Sequence, residues 1–195
     1  MREERDRFAG KYRIHSDRLP DWDYAGPGWY FITICTKHKV PCFGEITEDK
    51  VRLSEIGLIV EQEWEKTGVK RSNIILDKYV IMPKHFHAII SIRREQPVDP
   101  SSVETLRATS LRSIAQDDQP SRFTEISPKA GSLGTILRAF KAVVTRKARI
   151  MGHSDFAWQL GYYEHIIRDE EDLNRIRETI QLNPLRWALD PYHPS

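Results

Sequence analysis

Two histidines one residue apart, His85 and His87, stand in the run Tyr79-Val80-Ile81-Met82-Pro83-Lys84-His85-Phe86-His87-Ala88-Ile89-Ile90-Ser91-Ile92. Beyond Pro83 the residues alternate. Phe86, Ala88, Ile90 and Ile92 fall on one side of an extended strand, and His85, His87, Ile89 and Ser91 on the other. At a rise of about 3.3 Å per residue, two such imidazoles stand roughly 6.5 to 7 Å apart at Cα and can converge on one cation. A strand rich in β-branched and aromatic residues gives ligating imidazoles the rigid support that fixes their orientation. A His-x-His pair by itself is also compatible with a structural role, and a third donor has to come from elsewhere in the chain.

The elements that must position this pair follow from periodicity. Trp29 to Thr36 (WYFITICT) is a continuous aromatic and β-branched run, expected to be a strand buried on both faces. Phe43 to Ile46 and Val51 to Leu53 suggest a small hairpin around Glu48-Asp49-Lys50, without the usual Asn-Gly or Asp-Gly turn. Ser54 occupies an N-cap position, and Ile56, Ile59, Val60 and Trp64 recur at helical spacing until Gly68. Ile74 to Met82 and His85 to Ile92 are joined so closely that they should pair antiparallel. Residues 93–131 lack periodicity and read as a loop or insertion, with a short helix over Val103 to Ile114. Leu133 to Gly152 is an amphipathic helix, and Trp158 to Arg168 is strand-like. Asp169, with Asp172 three residues on, caps a last helix whose apolar stripe is Leu173, Ile176 and Ile180 and which ends near Asn183, before Pro184. This order predicts an α+β fold: a ferredoxin-like, four-stranded antiparallel sheet with packed helices and an extra C-terminal helix. Its expected limits are an arm over 1–28, the domain over 29–187 and a tail over 188–195.

The chain has 195 residues, 30% of them charged, and a formal net charge of +2, so its overall charge says little about partners. Distribution says more. The helix Leu133 to Gly152 carries Arg138, Lys141, Arg146, Lys147 and Arg149, and no acidic residue occurs from Leu133 to Ser154, which predicts a phosphate-binding surface. Cys35 and Cys42 read as reduced thiols, no apolar run approaches the ~18 residues of a membrane span, and a cytoplasmic protein is expected.

His85-Phe86-His87 after Met82-Pro83 is joined downstream by Trp158-Gln159, by Tyr162-Tyr163-Glu164-His165-Ile166-Ile167-Arg168 and by Asn183-Pro184. Together these motifs resemble the single-tyrosine transposases of the HUH nuclease superfamily, specifically the REP-associated tyrosine transposases, from Trp29 to Trp187. The resemblance implies a domain that cuts and rejoins single-stranded DNA beside a palindromic hairpin, using Mg or Mn. It implies His85, His87 and Asn183 as metal ligands, a tyrosine hydroxyl attacking the scissile phosphate, and a monomer or a homodimer. The departure is equally plain. One helical turn before Asn183, where the family carries its tyrosine, stands Thr179, and Lys84 occupies a position usually held by Asn. Three explanations stay open: loss of cleavage with binding retained, substitution by Tyr162 or Tyr163, or simple hydrolysis by metal-activated water.

Overall fold

The computed structural model describes residues 7–8, 12–13, 22–94 and 131–189. The expected helix over Val103 to Ile114, most of the insertion, most of the arm and the end of the tail lie outside the described residues. Within the arm, β1 (Arg7–Phe8) and β2 (Tyr12–Arg13) form a small antiparallel pair. The stretch just before the domain is tied to it: Trp22 Nε1 donates to the Tyr30 hydroxyl at 3.1 Å, and Tyr24 O accepts from Leu133 N at 3.1 Å.

The domain is built on β3 (Gly28–Cys35), β6 (Ile74–Ile81), β7 (His85–Ile92) and β8 (Tyr163–Ile167), which form one sheet in the order β6-β7-β3-β8 with every neighbouring pair antiparallel. Between β3 and β6 come the hairpin β4 (Gly44–Thr47) and β5 (Lys50–Leu53), and then α1 (Glu55–Val69). Between β7 and β8 comes α2 (Leu133–Ile150), and α3 (Glu170–Leu182) follows β8. This is the expected ferredoxin-like α+β arrangement with an additional C-terminal helix.

Local chemistry accounts for the elements. The hairpin turns at Glu48 and Asp49, both with positive φ (51° and 59°), so it takes the tight primed turn without a glycine. Ser54 caps α1 by accepting from Gly57 N at 3.1 Å while donating to Cys42 O at 2.6 Å. Gly57 is required for packing, because a Cβ there would lie 2.1 Å from Phe43 O. Ser132 caps α2, and Asp169 caps α3 by accepting from Asp172 N at 2.8 Å. Asn183 keeps helical dihedrals (φ −57°, ψ −43°) although it precedes proline, and the chain turns on through bonds from Arg186 N to the carbonyls of Leu182 and Asn183.

Two irregularities depart from the expected strands. In β6 the register shifts between Leu76 and Tyr79, so Asp77 and Lys78 both oppose one residue of β7. The strand expected from Trp158 is broken. Trp158 makes an isolated bridge to Thr36, and pairing with β3 resumes only at Tyr163, opposite Thr33.

The sheet has a core on each side. One face packs Tyr30, Ile32, Ile34, Phe86, Ala88 and Ile90 against Ile59, Val60 and Trp64 of α1 and Leu133, Ile136, Leu137 and Phe140 of α2. The other face packs Ile89 and Ile167 under Ile176 and Ile180 of α3, with Trp29, Phe31, Val80 and Leu173 at the margin.

Candidate functional site

The alternation of β7 sends Phe86 and Ala88 into the α1/α2 core and leaves His85 and His87 on the side of α3. The two imidazole centroids lie 4.4 Å apart, with the ring planes at 61°. His85 is completely buried. Burial drives its pKa down to about 4 against an opposing side-chain hydrogen bond with Asn183, so at neutral pH the ring is uncharged, the form that can ligate a cation. Asn183 therefore reaches His85 from the end of α3, and Trp187, just beyond Pro184, lies 6.3 Å from the same ring.

His87 is oriented by its neighbour on β3. The register pairs Thr33 with His87, the Thr33 hydroxyl lies 2.8 Å from His87 Nδ1, and Phe31 stacks on the imidazole at 5.2 Å. A ring held through one nitrogen and one face has a fixed aim. Thr33, Phe31 and Trp187 escaped the sequence reading. The available signal was that Thr33 is the polar member of an otherwise apolar strand, two residues from Cys35, which itself pairs with His85.

α3 is held over this face on both flanks. Arg177 pairs with Asp77, and the guanidinium holds that carboxyl below its ordinary value against the opposing effect of burial. Asp77 reaches α3 by ordinary alternation from Leu76, which faces the other core, and the bulge after it brings Tyr79 back to the side of Leu76. On the opposite flank His165 Nε2 lies 2.6 Å from Asp172 Oδ2, and Arg175 completes the cluster. The hydrogen bond to His165 lowers the Asp172 pKa.

Thr179 stands one turn before Asn183 and is exposed, and its hydroxyl donates to Arg175 O at 2.9 Å. The two tyrosines separate. Tyr163 is level with Thr33 and His87 across three strands, on the histidine face, and is 52% exposed, whereas Tyr162 packs against the α1/α2 core.

The five basic residues of α2 separate as well. Lys147 pairs with the buried Glu63 at 2.6 Å, beside Lys66; burial raises the Glu63 pKa, but the two ammonium groups outweigh it and leave the carboxyl below its ordinary value. Lys141 donates to Gln159 O and Gly161 O at 2.8 and 2.9 Å. Arg138, Arg146 and Arg149 are exposed, and a groove of about 610 Å³ beside Trp158 includes Arg146 and Arg149 in its walls.

Among the described residues no three or more His, Cys, Asp and Glu side chains are grouped to hold a metal; the polar side chain that meets His85 beside His87 is the Asn183 amide. No helix of the described residues is long and apolar enough to cross a membrane. No protein-family model matches the sequence. Among solved structures, the chain is similar to a REP-associated tyrosine transposase bound to a REP hairpin, at a TM-score of 0.52 and 14% identity over 89% of this chain and 74% of that one. It is also similar to a Deinococcus radiodurans chain provisionally named a transposase, at a TM-score of 0.40 and 12% identity over 85% of this chain and 96% of that one. The first likeness establishes a shared fold. With 38% identity over 182 residues, 93% of this chain and 94% of the relative, the protein belongs to the same family as an uncharacterized protein of Haemophilus influenzae (strain Rd).

Proposed function

We propose that the protein binds single-stranded DNA at a hairpin and holds one divalent cation, Mg or Mn, at His85, His87 and Asn183, as a transposase-type domain that has lost the covalent half of its reaction. What supports this reading most is the meeting of both histidines with Asn183 beneath α3, on a fold shared with a REP-associated tyrosine transposase. The donors fit such a cation: two imidazoles, one of them kept neutral by burial, and an amide oxygen leave coordination positions for water and a phosphate, unlike a closed four-ligand zinc site. A cation bound there would polarise a phosphoryl oxygen. The chain's own residues do the rest. Thr33 and Phe31 aim His87, Asn183 closes the site from α3, and Arg138, Arg146 and Arg149 offer exposed guanidinium groups to the DNA backbone.

Thr179 carries the argument about cleavage. An aliphatic alkoxide is a far poorer leaving group than a phenolate of pKa about 10, so a threonine is much less suited than a tyrosine to reversible strand transfer. The unmodified chain, incubated with labelled hairpin DNA and Mn, should show binding in native gels and no covalent adduct in denaturing gels. Thr179→Tyr should produce an adduct, because the site one turn away is already assembled. An adduct from the unmodified chain favours a second reading, in which Tyr163 is the nucleophile. Its position level with Thr33 and His87 is the observation behind that alternative. Replacement of Tyr163 by Phe then abolishes the adduct, and replacement of Tyr162 does not.

A further inference from the structure

Opposite two residues of β3, Ile34 and Cys35, the returning chain spends four, Gln159 to Tyr162, and the excess is pushed out of the sheet. At the tip Gly161 takes φ +73°, and Leu160 is 96% exposed. The loop is nevertheless pinned. The Lys141 ammonium takes the carbonyls of both residues flanking Leu160, at 2.8 and 2.9 Å, and Trp158 Nε1 donates to Lys141 O at 3.1 Å. Gln159 N is bonded to Cys35 O at 2.9 Å. A leucine is thus held in water by a half-buried lysine.

The surroundings indicate what such a leucine meets. On one side lies the groove walled by Arg146, Arg149, Ile150 and Trp158, on a helix without acidic residues. On the other side the chain enters β8 at Tyr163, level with His87. An apolar side chain on a fixed loop, whose anchors Lys141 and Trp158 also wall the groove with Arg146 and Arg149, matches a ligand that alternates anionic phosphates with flat apolar rings. Apolar side chains of this kind insert between neighbouring bases and unstack them.

We infer that Leu160 is a wedge that stacks against the base at the junction between a DNA hairpin stem and its single-stranded flank. This rests on the DNA-binding reading above. Lys141 is here a positioning residue, since it touches the loop carbonyls.

The test uses the full chain and a synthetic hairpin with a short single-stranded flank carrying 2-aminopurine at its first unpaired position. Binding of the unmodified protein should raise 2-aminopurine fluorescence severalfold as the base loses its stacking partner. Leu160→Ser, at a site too exposed to disturb folding, should abolish the rise, weaken affinity roughly tenfold and leave the salt dependence unchanged. Leu160→Met should restore the rise. If the unmodified chain binds with no change in fluorescence, or Leu160→Ser behaves identically, the wedge is refuted while DNA binding stands. If the unmodified chain binds none of these oligonucleotides, the DNA reading falls and the wedge with it. A dimer in sedimentation that Leu160→Ser dissociates also overturns it, because a second copy then covers the leucine.

Discussion

Beneath α1 and α2 the sheet is sealed by large, fully buried side chains, with Trp64 edge-on to Phe86 at 5.0 Å and to Phe140 at 5.3 Å. Beneath α3, among the described residues, four buried hydrophobic residues form the centre, Ile89, Ile167, Ile176 and Ile180, and charged pairs at the flanks complete the hold. The first face supplies stability, and the second carries the polar groups His85, His87 and Asn183. His85 shows why both belong on one strand: the residue after it, Phe86, lies within the larger core, so the histidine backbone is held rigidly by packing that takes no part in the chemistry.

Breaking the larger face should have the largest effect. Trp64→Ala removes a completely buried ring and should cost about 3–5 kcal/mol by urea denaturation, with metal and DNA binding lost through unfolding. On the α3 face, Ile180→Ala should cost about 2–3 kcal/mol, the lower part of the range for such truncations, because fewer atoms surround the side chain. Its more informative effect is that Asn183, three residues on, loses its anchorage, so cation affinity by calorimetry should fall in a protein that is still folded. Equal losses from the two substitutions would show that the faces do not differ as described.

The smallest effect concerns a charged flank. Because Arg177 holds the Asp77 carboxyl below its ordinary value, the pair stabilises the fold above the unfolded carboxylate pKa of about 4 and ceases to do so as pH falls through the folded value. Asp77→Asn should therefore cost about 2 kcal/mol near neutral pH and progressively less on acidification, read as converging melting curves.

The same contrast explains what the sequence could disclose. The alternation of His85 to Ile92, the caps at Ser54 and Asp169 and the stripe of Ile176 and Ile180 are local patterns, readable because one face of each element meets a core. The His85 and His87 pair was legible through its i, i+2 spacing, and Asn183 only through the family resemblance. The Asp77 pair with Arg177, the Thr33 bond to His87 and the loop at Leu160 depend on which element lies beside which, and no local pattern carries that information. Lys141 and Lys147 looked equivalent to the arginines of α2 because a run of cations does not reveal that Glu63 and two loop carbonyls occupy two of them.

The central claim is one cation site shared by β7 and the end of α3. Mn broadens NMR signals of nuclei close to it, so titrating the full chain with substoichiometric Mn tests the claim directly. The ring protons of His85 and His87 and the side-chain amide of Asn183 should broaden first and together, before those of His153 and His165. Broadening centred on His165 and Asp172 instead, or none at stoichiometric Mn, would contradict the account.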